Sequence, residues 1–217
     1  MARLKKGAFT GLIGNAVLST WKGQQVAKVY QSEVKNPQTV AQMHNRKSFA
    51  TISSFCSLHK QMIKIGFQSH DRTFYPMNEA RSVNAPKFTI TGTWPDITVH
   101  YEKIKLASGT LPLPTEVTAH VDNNNLIINW KGNESLLISN SGDFLMVALH
   151  YPEAEGNESK AVHYKCVAWR MHRTVTIPLE NRQSKHFHAW LFFMADSLNT
   201  EYDKKNVSNS LYLGEFE

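Results

Sequence analysis

The sequence predicts an α+β, mainly β chain: an amino-terminal β-hairpin and a long helix, then a seven-stranded β-sandwich. Three observations predict it. From Thr115 to Leu213, short runs of alternating or continuous apolar residues are separated by Gly, Asn and Asp turns. Apolar residues recur at three- and four-residue steps between residues 36 and 66, the helical period. Between these stretches, Pro112 and Pro114 in Ser108-Gly109-Thr110-Leu111-Pro112-Leu113-Pro114 mark a stiff extended linker, dividing the chain into residues 1–110 and 111–217.

The elements follow in order. Val17, Ser19, Trp21 and then Gln25, Ala27, Val29 alternate with their neighbours, and Lys22-Gly23-Gln24 supplies a turn, so residues 15–30 read as a hairpin. Gly7, Gly11 and Gly14 precede it with no strand before and no helix after, which excludes a dinucleotide loop; a Gly-Lys-Ser/Thr phosphate loop is absent as well. These glycines fit unusual backbone angles or the close approach of another chain. Asn36 as cap, Pro37 at the first helical position and Gly66 at the end bound a helix over 36–66. It is expected to break near Thr51-Ile52-Ser53-Ser54, where β-branched and hydroxyl side chains crowd. A mixed connector over 67–95 holds a short helix at Met77–Val83, and a strand is expected over Ile97–Leu106.

Seven strands are then expected: Val117–Val121, Asn125–Trp130, Phe144–Tyr151, Ala161–Trp169, Thr174–Leu179, Phe187–Ala195 and Ser208–Leu213. Turns fall at Asp122-Asn123-Asn124, Ser141-Gly142-Asp143 and Glu155-Gly156-Asn157. This spacing is that of an immunoglobulin-like sandwich. The run Leu126-Ile127-Ile128-Asn129-Trp130 resembles the second strand of a fibronectin type III domain with its core tryptophan. Phe187-His188-Ala189-Trp190-Leu191-Phe192-Phe193-Met194-Ala195 resembles that family's penultimate strand, with Phe187 or Trp190 where a tyrosine is usual, and Asn206-Val207-Ser208-Asn209-Ser210 resembles its entry to the last strand.

The first half carries a second resemblance. A basic Met1-Ala2-Arg3 start is followed by glycines before Val17-x-x-x-Trp21-Lys22-Gly23. Then come Asn36-Pro37-x-Thr39-x-Ala41-Gln42-x-x-x-Arg46-x-x-Phe49, Ile63-Lys64-Ile65-Gly66-Phe67 and Ile90-Thr91-Gly92-Thr93-Trp94-Pro95-Asp96. Together these resemble an uncharacterised family, a domain of unknown function common in Bacteroidota, over residues 1–106. The resemblance implies no catalytic residue. Related helix starts occur in phage-associated proteins, which implies a virion or prophage part.

Composition narrows the function classes. The 217 residues suffice for one large domain or two small ones. No apolar run reaches the roughly 18 residues of a membrane span, and the basic start lacks the apolar stretch of a signal peptide. The chain is therefore expected to remain in the cytoplasm where it is made, or to enter a virion. Cys56 and Cys166 are read as buried free thiols rather than a disulfide or metal knuckle. The charge is uneven: residues 1–72 hold eleven Lys/Arg against two acids, a net of +9, and the remainder has a net of −3. Such asymmetry points to an electrostatic partner for the first third.

Catalytic chemistry finds little support. His186-x-His188 would place two rings on one strand face, but zinc needs two further ligands that the sequence does not nominate; an outer polar face is expected. His59 falls on the apolar helix face and reads as a hydrogen-bonded core residue. His163 and Cys166 fall on opposite faces of the expected Ala161–Trp169 strand, so no thiolate pair forms. No Gly-x-Ser-x-Gly, His-Glu-x-x-His or apolar carboxylate pair occurs. A non-enzymatic structural or assembly subunit with no metal and no cofactor is expected, of a virion or a surface assembly. It would dock through Arg3, Lys5, Lys6, Trp21, Lys22, Arg46 and Lys47 on protein partners, copies of itself included. Trp21 is either an exposed anchor or hairpin core. The alternative is nucleic-acid binding, in which Lys28, Lys35, Lys60 and Lys64 join the basic set on phosphates.

Overall fold

Arg3–Lys5 (β1), Ala8–Ile13 (β2), Ala16–Trp21 (β3) and Gln24–Val29 (β4) pair antiparallel in the order β1-β2-β3-β4. Lys22 and Gly23 both take positive φ, 48° and 82°, as a two-residue type I′ turn between β3 and β4 requires. The expected hairpin is thus the second half of a four-stranded sheet. The first half is hidden in sequence because Gly11 (φ 116°) and Gly14 (φ 56°) interrupt the alternation while remaining in strand and turn.

The computed structural model describes residues 3–5, 8–33, 36–68, 75–132, 142–152, 158–179, 186–195 and 206–217. Lys6, Lys35, the loop 153–157 and the turn residue Ser141 lie outside them. The chain divides into two compact units, residues 1–42 and 43–217.

The expected 36–66 helix comprises Val40–Leu58 (α1) and Lys60–Gly66 (α2). Thr39 rather than Asn36 caps it, its Oγ1 accepting from the Gln42 N–H at 3.3 Å. The break lies at His59 and not at Thr51–Ser54. There Thr51 Oγ1 donates to the Lys47 carbonyl at 3.0 Å and Ser57 Oγ to that of Ser53 at 2.8 Å, so the hydroxyls turn back onto the preceding turn and the helix continues. Pro76–Val83 (α3) agrees with the expected short helix, with Pro76 in its first turn; Pro86–Thr89 (α4) leads into the hairpin Ile90–Thr93 (β5) and Asp96–Val99 (β6). The strand expected over Ile97–Leu106 ends at Val99. A 3₁₀ turn at Tyr101–Lys103 follows, and Asn84 then clamps Lys105 by two 2.8 Å hydrogen bonds, turning Ile104 and Leu106 into the core.

Thr115–Asp122 (β7), Asn125–Lys131 (β8) and Thr174–Pro178 (β11) form a sheet in the order β11-β8-β7. Phe144–Tyr151 (β9), Lys160–Tyr164 (β10), Phe187–Met194 (β12) and Leu211–Phe216 (β13) form another in the order β10-β9-β12-β13, and all pairs are antiparallel. The architecture is mainly β with several antiparallel sheets. Among the described residues the strand count is thirteen rather than the ten expected, β1, β2 and β5 being the additions. Asn123 and Asn124, at φ 46° and 61°, make the expected turn between β7 and β8.

Strands β9 and β12 are covered on both faces, which explains their continuous apolar sequences. Leu145, Val147, Leu149 and Leu191, Phe193 join Leu126, Ile128 and Trp130 of β8 in one core. The intervening Met146, Ala148, Trp190 and Phe192 join Ile52, Phe55, Met62 and Ile63 of the helices in a second. Ser108–Pro114, expected as a linker at a boundary near residue 110, is stitched into this unit. Ser108 N–H donates to Gly66 O, Leu111 N–H to Val207 O and Arg170 Nη2 to Pro112 O, each at 2.9 Å. Arg170 also pairs with the buried Asp143 (Nε to Oδ2, 2.9 Å) and lies over the Phe193 ring. No helix among the described residues is long and apolar enough to cross a membrane.

Candidate functional site

Two features stand out from a packed fold: a sheet without a core and a chain of histidines that runs from half-buried His163 to buried His59 and His150.

None of residues 8–33 is buried. The strand register puts Phe9, Ile13, Ala16, Leu18, Ala27 and Val29 on one face of the sheet β2-β3-β4, where no charged residue falls. Leu12, Val17, Trp21, Val26 and Lys28 share the other face. Phe9, Ile13, Trp21 and Val29 are 52%, 50%, 64% and 69% exposed. Trp21 is therefore an exposed aromatic and not hairpin core, and Lys22 Nζ lies 5.3 Å from its ring centroid. Of the other expected docking residues, Arg3 and Lys5 belong to β1, but their side chains, like all of Lys6, are outside the described residues. Arg46 and Lys47 lie on α1 in the other unit. The structure thus brings Trp21 and Lys22 together, and places Lys47 elsewhere, in the lining of a cavity.

That cavity, about 320 Å³, is lined by Lys47, Thr51, Phe55, Tyr101, His150 and Ser159 among others. Beneath it runs the histidine chain. His163 Nε2 is 3.1 Å from His59 Nδ1, and His59 Nε2 is 3.3 Å from His150 Nδ1. Phe55 packs against both His59 and His150, with ring centroids 4.5 and 4.8 Å away. Tyr101 stacks on His188 at 4.0 Å, and His188 Nδ1 is 2.8 Å from the Tyr212 hydroxyl. Burial holds the imidazoles neutral: it pushes His59 well below the usual histidine range, His150 down to about 3 and His163 down to about 4, with the neighbouring rings and Lys165 acting in the same direction. The Tyr212 hydroxyl is pushed up to about 12 by burial, with Glu215 and Glu102 adding to it. Among the described residues no group of three or more His, Cys, Asp or Glu is arranged to hold a metal; the rings bond to one another.

Several expectations change here. His59 is a buried, hydrogen-bonded residue, and its partners are themselves histidines. His188 is buried rather than on an outer face, and His186 precedes β12 and is exposed, so the two do not form a shared edge. Cys56 is buried, its thiol pushed up to about 11 by burial, whereas Cys166 is exposed. The strand β10 stops at Tyr164, and Cys166 sits beyond it at φ 51°, so alternation no longer governs its side. The convergence of His59, His150 and His163 joins positions 91 and 104 residues apart, which no local pattern records. Its one sequence signal is a polar ring inside each apolar run, His150 in β9 and His188 in β12, since a buried polar group needs a partner.

The sequence profile of a family of unknown function, DUF6266, matches residues 8–214, and the chain belongs to this family. No curated protein matches the chain.

Proposed function

We propose that this protein is a non-enzymatic assembly subunit that associates with copies of itself through the sheet of residues 8–29, in a virion or surface assembly. The observation that carries the reading is that this sheet has no core. Strand pairing alone rarely sustains an exposed sheet in water without an apolar face covered, and here large apolar side chains stand exposed on both faces. Three six-residue strands present about 300 Å² per face, from about 3.4 Å per residue and 4.8 Å between strands. Covering one face falls well short of the roughly 800 Å² per partner of a standard interface, and covering both approaches it. That favours a sheet enclosed by neighbouring copies over a simple pair.

Charge supports a head-to-tail arrangement. The first 72 residues have a net of +9 and the rest a net of −3, so the lysine-bearing face suits the acidic part of a neighbour. In the second unit, the strand orders β7-β8-β11 and β10-β9-β12-β13 suit a fibronectin type III-like sandwich, which we take to be the module that the sheet joins into an assembly. Sedimentation velocity over a concentration series, in low and high salt, tests the reading. Concentration-dependent oligomers that weaken in high salt are expected. A monomer at every concentration and both salts contradicts it, and retardation of DNA or RNA in a gel without self-association would favour the nucleic-acid alternative.

A further inference from the structure

The histidine chain has a property that its hydrogen bonds dictate. Each neutral imidazole has one donor and one acceptor nitrogen, so the links His163 Nε2 to His59 Nδ1 and His59 Nε2 to His150 Nδ1 can be made in only two proton arrangements. In one, every N–H points toward His150 and the last, on its Nε2, points out of the chain. In the other, every N–H points toward His163, ending on its Nδ1. One extra proton fits either arrangement without breaking a link: on His163 Nδ1 in the first, on His150 Nε2 in the second. Two N–H to N transfers convert one protonated form into the other. A proton taken up at half-exposed His163 is thereby delivered to His150; a second extra proton would set donor against donor.

His150 lines the cavity, and among the described residues its Nε2 has no hydrogen-bond partner. Among the described residues, the cavity lining contains one cation, Lys47, and no carboxylate; Phe55 and Tyr101 supply aromatic wall, and Thr51 and Ser159 supply hydroxyls. An aromatic body with a single negative group matches this lining. We propose that the cavity binds a small aromatic carboxylate, which accepts from Nε2–H of His150, and that binding takes up one proton from solvent through the chain His163–His59–His150.

The charged and titratable groups facing the chain are Lys165 beside His163, His188 beside His150, Glu102 and Glu215 around His188, and Tyr101 and Tyr212. Lys165 is held by Gln61 at 2.7 Å. Burial keeps the unliganded chain neutral near pH 7, so the proton arrives with the anion.

Calorimetric titration of the full chain with naphthalene-2-carboxylate, against naphthalene-2-carboxamide, tests this between pH 7 and 5.5, with circular dichroism confirming the fold at each pH. The carboxylate is expected to bind about fivefold to tenfold more tightly at pH 5.5 than at 6.5, the linkage of one proton, and the carboxamide to bind more weakly without that dependence. His163 is outside the cavity lining but begins the proton path, so His163→Leu should weaken binding of the carboxylate and lose the gain at pH 5.5. His59 Nδ1–H would then lack an acceptor, and His163→Gln, which restores one, should recover the gain. Equal binding of the two probes, no binding of the carboxylate at millimolar concentration, or an affinity independent of pH in the unaltered protein would overturn the proposal.

Discussion

Among the described residues are two four-stranded antiparallel sheets, and they are opposites. In β10-β9-β12-β13, the central strands read Phe-Leu-Met-Val-Ala-Leu-His-Tyr and Phe-His-Ala-Trp-Leu-Phe-Phe-Met, and every residue from Leu145 to Tyr151 and from Phe187 to Phe193 is buried. In β1-β2-β3-β4, the strand β4 reads Gln-Gln-Val-Ala-Lys-Val, and all six residues are exposed. Hydrogen-bonded pairing is the same in kind. What differs is cover, because the first sheet packs on helices and on a second sheet, and no residue of β2, β3 or β4 reaches burial. Pairing makes a sheet, and burial makes it stable; a sheet that has only the pairing is suited to acquire cover from another molecule.

The widest break in this comparison comes from equivalent aromatics. Trp190 is fully buried and donates its Nε1–H to the Ile104 carbonyl at 3.1 Å, so Trp190→Ala should cost about 3–5 kcal/mol in urea unfolding. Gly66→Ala tests how tightly the covered region is packed. A Cβ there would overlap the Leu106 carbonyl and Ala107, and a loss of about 1–3 kcal/mol is expected.

Acid sharpens the contrast further. His150, at about 3 in the folded state against 6.5 for the ordinary side chain, binds its proton more readily when unfolded. Its contribution is fully present above pH 6.5, falls as pH drops toward 3 and is flat below. About 2 kcal/mol should be lost between pH 6.5 and 5 from this residue alone, with His163 adding to the loss. Urea melts at several pH values check this, and a His59→Leu/His150→Leu double variant should flatten the slope. The sheet of residues 3–29 contains no histidine, so it contributes nothing to this dependence. The smallest effect on stability belongs to Trp21→Ala, expected within about 0.5 kcal/mol of the unaltered protein, while self-association measured by light scattering weakens.

The contrast was partly legible in the residues themselves. Continuous apolar runs in β9 and β12 announce strands buried on both faces, and Asn123-Asn124 and Gly23 announce their turns through the positive φ that Asn and Gly tolerate. The strands β1 and β2 were less legible, because glycines break the alternation by which a strand is recognised. The helix break escaped for a different reason: hydroxyls at Thr51 and Ser57 found carbonyls one turn back, whereas His59 was drawn to rings contributed by β9 and β10. Contacts across 91 and 104 residues leave no trace in local periodicity, which is why the histidine chain emerged only with the fold.

Hydrogen exchange read residue by residue compares the two sheets most directly. In dilute protein the amides of residues 8–29 should exchange far faster than those of β9 and β12, and concentrating the protein into its associated form should protect the first set without changing the second. Amides of residues 8–29 as protected as those of β9 and β12 in a dilute monomer would contradict the account, since the sheet would then be stable without a partner.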